Sequence, residues 1–322
     1  MACTVAVLGA GGIGRHHANW WCREGAEVVA ILGRTPESVQ RSAARLKELT
    51  GFAGGCYTDL AALLQAARPE IVDICVPAAD HATLARQALE SGCHVLCEKP
   101  LVFDAARTPE ALLQEAHDLA ALAGARGVRL GLCSQFSVVA RTCRELLQAR
   151  APGTLRRIAI ELRSPARGRA PDPAQTWIDL GPHLIAALQT LLPGGEPGWP
   201  AVRAAVEGYE ARLDFPVQAC GAAPVTVQLA VGFTTGEPAN VRRLTLNDTA
   251  FDLLGETGPD GCFRMRYRSG TGIDEPHPDP MRLLIREFLA GHPPLGPEAA
   301  CENQRLLLRL LAAIEQARGE VT

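Results

Sequence analysis

A glycine-rich turn near the N-terminus places the strongest constraint on the fold of this chain. Residues 4–9 read TVAVLG, an apolar and β-branched run that is typical of a buried parallel strand. The run leads directly into GAGGIG, where Gly9, Gly11 and Gly14 give the spacing G-x-G-x-x-G, and a helix-like stretch follows. A strand, a glycine turn and a helix in this order are typical of the first unit of a dinucleotide-binding sheet.

The glycines of this turn have separate physical roles in such a site. One permits a tight turn, one lets the backbone approach a pyrophosphate, and one lets the helix pack closely on the strand. The first turn of the helix supplies N–H groups and a partial positive charge for the phosphates. The turn residues that we predict to bind the cofactor are Gly9, Gly11, Gly12, Ile13 and Gly14.

The N-terminal half continues the same alternation of strand and helix. Apolar runs at 27–32, 71–76, 93–98 and 128–133, with a short run near residue 56, are separated by helix-like segments. This spacing predicts an α/β fold of the Rossmann type, with a doubly wound parallel sheet.

The second half of the chain has a different pattern. We predict a linking helix at about 138–149, a second helix from about 181 to 192, and then four or five strand-like runs with hairpin signals. Two helices, near 280–290 and 298–318, follow. Consecutive strands with few helices favour an α+β domain on an open, mostly antiparallel sheet.

A length of 322 residues suits two domains. We predict a dinucleotide-binding Rossmann domain at 1–134 and a substrate-binding and oligomerisation domain at 135–322. Since the net charge is only -3, we expect neither a nucleic acid nor a membrane surface as a partner.

The location in the cell is predicted from three features. The first strand begins too close to the N-terminus to leave room for a targeting peptide. No apolar run approaches the roughly 18 residues of a membrane span. The 11 cysteines are scattered without a paired CxxC spacing, which is typical of reduced thiols in a cytoplasmic protein. We therefore expect the cytoplasm.

A metal site is not predicted. Cys93, His94 and Cys97 have suitable ligand types, but they fall in a predicted strand. Residues i and i+4 of a strand lie about 13 Å apart, which is too far for a shared ion.

The end of the second strand indicates which dinucleotide to expect. An NAD site usually carries a carboxylate about 20 residues after the glycine turn. Here the chain reads ILGRTPES, and Arg34 and Thr35 occupy that position, before Glu37. A guanidinium and a hydroxyl suit the 2′-phosphate of NADP, so we predict that both residues bind the cofactor and that NADP is preferred over NAD. The alternative is that Thr35 only caps the next helix and Arg34 is solvated.

The stretch VDICVPAADHATLARQALESGCHVLCEKPLVFD resembles the signature of the Gfo/Idh/MocA family of glucose–fructose oxidoreductases and inositol dehydrogenases. The resemblance extends to the glycine turn and to a later D-x-G-x-H motif. It implies a Rossmann domain, a second domain whose open sheet often pairs subunits, and oxidation of hydroxyl groups of sugars and polyols or reduction of the ketones. The cofactor-binding residues that we assign in this stretch are Pro77, His81, Glu98 and Lys99; a capping or surface histidine is the alternative for His81.

Lysine is rare in this chain, because only Lys47 and Lys99 are lysines among 32 cationic residues. Lys99 follows the fifth predicted strand at its carboxyl end, where open α/β sheets bind their ligands. Pro100 favours an extended backbone at Lys99. Unlike arginine, a lysine can hand over a proton, so we predict a catalytic role; a surface ion pair with Glu98 is the alternative.

The segment WIDLGPHLI places Asp179 and His183 four residues apart, which on a helix puts them on one face. Gly181 and Pro182 indicate that the helix only begins here. The resemblance implies that both side chains face the nicotinamide together with Lys99. We predict His183 as general acid or base, because histidine titrates near neutral pH, and Asp179 as the residue that orients substrate or lysine. The alternative is a helix cap and a core histidine.

Two further features receive weaker interpretations. Arg163, Arg167 and Arg169 make one loop basic, and we hypothesise that this loop approaches a carboxylate or phosphate of the substrate. A solvated loop is the alternative. His16 and His17 follow the glycine turn, and we expect them only to pack on their helix.

These features predict an oxidoreductase that prefers NADP and transfers a hydride between the nicotinamide and a hydroxyl or carbonyl carbon. The expected substrate is a sugar, a polyol or a related polar small molecule. We expect a homodimer or homotetramer assembled through the C-terminal sheet. Two alternatives stay open: a redox-neutral enzyme that retains and recycles its cofactor, and a non-catalytic NADP-binding sensor.

Overall fold

The computed structural model describes residues 2–219, 223–259 and 262–321. They divide into two units. The first unit runs to Ser134 and takes up the chain again at Met281–Gln304. The second unit comprises the residues between these segments and resumes at Arg305.

This division differs from the predicted domains in one segment, Met281–Gln304, which belongs to the first unit. The ring of Phe288 meets Trp21 edge to face, with 6.0 Å between the ring centroids. The backbone N–H of Leu132 donates to the carbonyl of Leu295 at 2.9 Å. The segment therefore supplies apolar surface and a hydrogen-bond acceptor to a sheet formed by residues far earlier in the chain.

The first unit contains the predicted parallel sheet. Its strands are β1 (Thr4–Leu8), β2 (Glu27–Leu32), β3 (Gly55–Tyr57), β4 (Ile71–Ile74), β5 (His94–Glu98) and β6 (Leu130–Cys133). Its helices are α1 (Ile13–Arg23), α2 (Pro36–Thr50), α3 (Leu60–Ala67), α4 (His81–Glu90) and α5 (Pro109–Arg126). The strand order is β3-β2-β1-β4-β5-β6, and the Rossmann prediction is confirmed.

The strand order creates a crevice at one point of this sheet. β1 pairs with β2 on one side and with β4 on the other, so the connections that leave β1 and β4 run in opposite directions along the sheet. In open α/β sheets, ligands bind at the carboxyl ends of the strands at such a reversal. Strands β1 and β4 form the base of the crevice. Their side chains are completely buried at Val5, Val7, Ile71 and Val72.

The second unit contains the predicted antiparallel sheet. Its elements begin with α6 (Phe136–Arg150), β7 (Arg157–Pro165), α7 (Pro173–Leu191), β8 (Glu196–Pro197), β9 (Arg203–Glu207) and β10 (Glu210–Gln218). They continue with β11 (Val225–Thr234), β12 (Val241–Leu246), β13 (Thr249–Thr257), β14 (Phe263–Ser269) and β15 (Asp274–Pro278). The last two helices of the chain are α8 (Pro280–Leu289) and α9 (Pro297–Val321).

The nine strands that the described residues form in this sheet run in the order β15-β14-β13-β12-β7-β11-β10-β8, with β9 paired to β10. β7 and β11 are parallel, and the other pairs are antiparallel, so the predicted mostly antiparallel sheet is confirmed. Along β10, Leu213 and Phe215 are buried, whereas Arg212 and Asp214 point to the opposite face. The sheet therefore has one apolar face and one face of charged side chains.

The helix α7 begins earlier than predicted, at Pro173 rather than near Gly181. The side chain of Asp172 accepts a hydrogen bond from the N–H of Ala174 at 3.0 Å and so caps the helix. Pro173 occupies the first turn, where its missing N–H is harmless. The helix also tolerates Pro182 in its interior, and it is continuous through the D-x-G-x-H motif.

In the described residues, no helix has the length and apolar character needed to cross a membrane.

Candidate functional site

The glycine turn of the first unit has no room for side chains at two positions. A Cβ on Gly9 would lie 2.7 Å from the carbonyl oxygen of Cys75, and Gly9 has a φ of +90°. A Cβ on Gly14 would lie 2.7 Å from the carbonyl oxygen of Gly9. Both contacts are too short for any other residue. The turn between β1 and α1 is therefore packed directly against the end of β4, as a dinucleotide site requires.

A cleft of about 580 Å³ opens beside this turn. The predicted cofactor residues that line it are Gly9, Gly11, Gly12, Arg34 and Pro77. Six others are outside its lining in the described chain, and their cofactor contacts stay predictions: Ile13, Gly14, Thr35, His81, Glu98 and Lys99. The position of the cleft, at the carboxyl ends of β1 and β4, is where the strand order predicts a ligand.

The wall of the cleft formed by α2 is basic. Arg34 is joined there by Arg41 and Arg45, with the hydroxyls of Ser38 and Ser42 between them. Sequence reasoning missed these four residues of α2, although their one-turn spacing puts them on one face of a helix. The acidic residue among those lining the cleft is Asp80, which lies beyond β4 rather than beyond β2.

Thr35 has a structural contact that explains it without a cofactor. Its hydroxyl accepts a hydrogen bond from the N–H of Ser38 at 3.2 Å, and the Ser38 hydroxyl accepts one from the N–H of Thr35 at 3.1 Å. This reciprocal arrangement caps the N-terminus of α2.

His81 is buried, so the alternative of a surface histidine is wrong. Its Nδ1 lies 2.7 Å from the carbonyl oxygen of Pro100, and its Nε2 lies 2.9 Å from the carbonyl oxygen of Val76. The imidazole therefore links the segment after β4 to the Glu98-Lys99-Pro100 turn after β5.

Lys99 lies half-buried in this turn, directly after the carboxyl end of β5. Its position agrees with the predicted edge of the sheet. Its neighbour Pro100 is buried, and the peptide bond between them is cis.

A buried polar cluster lies on the other side of this turn. His17 is completely buried, and its Nδ1 lies 2.9 Å from Oδ2 of Asp73. Its Nε2 lies 3.3 Å from Oε1 of Glu98. Trp21 donates from its indole nitrogen to Oδ2 of Asp73 at 2.6 Å. The expectation that His17 only packs on its helix is therefore wrong, because it connects α1 with β4 and β5.

Charge stabilises this cluster. Burial is the largest single influence and lowers the pKa of His17, but the Asp73 carboxylate, with smaller contributions from its other neighbours, raises that pKa well above its ordinary value overall. Burial raises the pKa of the neighbouring Cys75 thiol well above its usual range and that of Cys133 to about 12. The cluster thus contains an imidazolium between two carboxylates, with neutral thiols beside it.

The second unit holds the two other predicted catalytic residues. Asp179 accepts a hydrogen bond at Oδ1 from Nε2 of Gln175 at 3.1 Å, and its Oδ2 lies 4.0 Å from a guanidinium nitrogen of Arg169. Since the helix cap is Asp172, the alternative role of Asp179 as a cap is wrong. His183 is half-buried one turn further along α7, with its ring centroid 5.4 Å from that of Phe136.

The three arginines of the basic loop differ in their surroundings. Arg163 forms ion pairs with Glu161 at 2.7 Å and with Glu210, so its charge is already balanced. Arg169 is the one of the three that lies beside a predicted catalytic residue, since its guanidinium is near Asp179. The hypothesis of an anion-binding loop therefore depends on Arg167 and Arg169.

Comparison with known protein families agrees with the geometry of the first unit. Residues 3–132 match the Gfo/Idh/MocA family, described as an oxidoreductase family with an NAD-binding Rossmann fold. The match covers the Rossmann domain and less than half of the chain. The resemblance predicted from the sequence is confirmed over these residues, and so is the nucleotide-binding nature of the domain.

Curated relatives match parts of the chain. A D-glucoside 3-dehydrogenase of Escherichia coli is 39% identical over 108 residues, which are 33% of this chain and 28% of that protein. An inositol 2-dehydrogenase of Saccharopolyspora erythraea is 31% identical over 153 residues, which are 46% of this chain and 42% of that protein. The chain therefore matches less than half the length of each of these relatives.

Solved structures match almost the whole chain. A UDP-N-acetylglucosamine 3-dehydrogenase from Acidithiobacillus ferrooxidans superposes with a TM-score of 0.75 at 22% identity, covering 98% of this chain and 99% of that one. An inositol dehydrogenase homologue from Azotobacter vinelandii, solved with NADH and myo-inositol, gives a TM-score of 0.71 at 16% identity, with 98% and 96% covered. At these identities the likeness shows the fold of both units.

The buried pair of His17 and Asp73 generates a prediction about stability. Asp73→Asn leaves the imidazole buried without the nearer of its two carboxylates, and removing one partner of such a pair costs about 3–5 kcal/mol. Urea unfolding of the variant should show this loss at pH 6. The control is Asp248→Asn, an exposed aspartate in the hairpin between β12 and β13, which should change the free energy of unfolding little.

The same pair predicts the pH dependence of this difference. The pKa of His17 is raised in the folded state, so its contribution is fully present below the ordinary histidine value of 6.5 and is lost as the pH rises through the raised value. The gap in stability between the parent protein and Asp73→Asn should therefore shrink above pH 6.5. If the difference in the free energy of unfolding between the two proteins became larger in alkaline solution, that result would contradict a charged His17.

Proposed function

We propose that this chain is a dehydrogenase that uses NADP in preference to NAD and acts on a CH–OH group, or on the corresponding ketone, of a sugar, a polyol or a related polar small molecule. The observation that carries the proposal is the glycine-lined cleft at the carboxyl ends of β1 and β4, with the Lys99 turn at the end of neighbouring β5. The named activities of relatives, on a glucoside and on inositol, support the substrate class.

The charge of the cleft supports NADP. An NAD site usually has a carboxylate after β2, which accepts hydrogen bonds from the ribose hydroxyls. Here Arg34 follows β2, and Arg41 and Arg45 extend the positive charge along α2. Guanidinium groups bind phosphate oxygens through charge-assisted hydrogen bonds, whereas the hydroxyls of Ser38 and Ser42 already donate to the carbonyl oxygens of Thr35 and Ser38. The 2′-phosphate of NADP would complement this wall, whereas a bare 2′-hydroxyl would leave it unpaired.

The cofactor preference can be measured by calorimetric titration of the nucleotide-stripped protein with NADPH and then NADH. Arg34→Gln and Arg41→Gln should each weaken NADPH binding by about 10- to 100-fold, the value of a hydrogen bond to a charged group. NADH binding should change only a few-fold. Arg126→Gln, an exposed arginine in the last turn of α5 and away from the cleft, is the matched control. NADH binding as tight as NADPH binding in the parent protein would overturn the preference.

The proposed chemistry needs a group that moves a proton beside the carbon that loses or gains the hydride. When bound, the oxidised nicotinamide accepts the hydride from the substrate carbon. We propose that Lys99 or His183 accepts the proton of the substrate hydroxyl. We propose that Asp179 orients the substrate or the lysine. Lysine and histidine both interconvert between protonated and neutral forms, as general acid–base catalysis requires.

The two lysines of the chain allow a matched test of this assignment. Lys99→Arg keeps the charge but cannot transfer the proton, so kcat on a sugar or polyol found by screening with NADP should fall by about 100- to 10,000-fold. Lys47→Arg, on the exposed side of α2, should leave kcat unchanged. Equal activity of both variants would refute the assignment.

Two other outcomes would favour the alternative functions. Tightly bound nucleotide that survives purification without net turnover would favour the redox-neutral enzyme. Nucleotide binding without any turnover would favour a sensor.

We also propose self-association through the charged face of the second sheet. On this face Leu254 of β13 is 37% exposed, between the exposed or half-exposed carboxylates of Asp252 and Glu256. An apolar side chain among charged ones is common at the centre of an interface with a polar rim. Light scattering should give the mass of a dimer or tetramer, and Leu254→Glu should lower it toward the 34.3 kDa monomer. A monomeric parent protein would exclude this proposal.

A further inference from the structure

Two buried histidines flank the Lys99 turn, and neither lines the nucleotide cleft among the described residues. Lys99 sits between Glu98 and Pro100 in the chain. Nε2 of His17 lies 3.3 Å from Oε1 of Glu98, the residue before Lys99. Nδ1 of His81 lies 2.7 Å from the carbonyl oxygen of Pro100, the residue after it. Each neighbour of the lysine is thus contacted by a separate imidazole, Glu98 through an ion pair and Pro100 through a hydrogen bond.

The two histidines come from different helices. His17 belongs to α1, the helix that begins at the glycine turn, and His81 is the first residue of α4. Both are anchored a second time: Nδ1 of His17 lies 2.9 Å from Asp73 on β4, and Nε2 of His81 lies 2.9 Å from the carbonyl oxygen of Val76 just beyond β4. The end of β4 and the end of β5 are therefore tied together on both sides of the lysine.

We call the contacts of His17 with Glu98 and of His81 with Pro100 the clamp. On the His17 side of the clamp, the imidazole lies between two carboxylates. The groups that face its ring are Asp73 on β4, Glu98 on β5, the buried thiols of Cys75 and Cys133, and the ring of Trp20 at 5.5 Å. Without a cation between them, the two carboxylates would repel in a region of low polarity, and Glu98 would turn toward solvent.

We infer that His17 and His81 are positioning residues that hold the Glu98-Lys99-Pro100 turn and so fix where Lys99 projects at the edge of the sheet. His17 acts through the side chain of Glu98, and His81 acts through the backbone of Pro100. The inference rests on the proposed function only for the consequence in catalysis, because the clamp itself is a property of the folded chain. A displacement of about 1 Å at a catalytic group can cost about 100-fold in rate.

The clamp can be tested without a known substrate, because the chain has only two lysines. Acetylation with limiting acetic anhydride, followed by mass spectrometry of the two lysine peptides, gives the reactivity of Lys99 relative to the exposed Lys47. His17→Gln and His81→Gln should each raise this ratio several-fold, since a turn released from its anchor opens locally. His16→Gln, the exposed neighbour on the same helix, is the matched control and should leave the ratio unchanged.

A second variant covers the case in which His17→Gln does not fold. Glu98→Gln removes the charge from the more accessible side of the clamp, since the Glu98 side chain is 14% exposed. It should raise the same labelling ratio. In a His17→Gln and Glu98→Gln double variant the ratio should not rise further, because both changes break the same contact. Additive effects would show that His17 does not act through Glu98.

NADPH titration separates failure of the clamp from failure of the proposed function. Folded His17→Gln should bind NADPH within a few-fold of the parent protein, since His17 is not among the predicted cofactor residues, and kcat on an identified substrate should fall by about 100-fold with little change in the KM for the cofactor. Unchanged Lys99 labelling in folded His17→Gln, His81→Gln and Glu98→Gln would overturn the inference. A parent protein that binds no nucleotide would instead refute the proposed function, and the labelling result would still decide the clamp.

Discussion

The buried ion pair between His17 and Asp73 is the interaction on which the nucleotide-binding unit depends. It joins α1 to β4, the two elements that enclose the glycine turn. The turn needs this connection, because Gly9 and Gly14 pack against the end of β4 with no space for a Cβ. If α1 moved away from β4, the glycine turn that lines the cleft would lose this packing. A charge pair in the interior thus maintains the close backbone packing that a pyrophosphate requires.

The elements that depend on short segments of chain were predictable. Alternating apolar runs and helical segments indicated the Rossmann sheet, and consecutive strands indicated the antiparallel sheet, since each pattern is decided within a few residues. The predicted start of α7, near Gly181, is too late. Glycine and proline at 181 and 182 are typical of a helix start, but Asp172 and Pro173 form the actual N-terminal cap. A capped helix with many packed side chains tolerates an interior proline that local preference alone would exclude.

The contacts that define the site depend on residues far apart in the chain, and the sequence contains no local signal for them. His17 meets a carboxylate 56 positions later, and His81 meets a carbonyl 19 positions later. Only the strand order brings these partners together. The basic face of α2 is different, because the spacing of Ser38, Arg41 and Arg45 was visible, but nothing before the fold showed that this face lines a cleft. Sequence patterns therefore identified the glycine turn and marked the lysine as a candidate, and the fold supplied the contacts around both.

Arginine and lysine occupy different kinds of position in this chain. Arginine forms the ion pairs that join elements, as when Arg282 and Arg286 both bind Glu24 at 2.6 and 2.9 Å. A guanidinium suits this task, because it keeps its charge and binds both oxygens of a carboxylate. The turn after β5 uses a lysine instead and surrounds it with two imidazole anchors. The two imidazoles reach this turn through the neighbours of the lysine, His17 through the carboxylate of Glu98 and His81 through the carbonyl oxygen of Pro100.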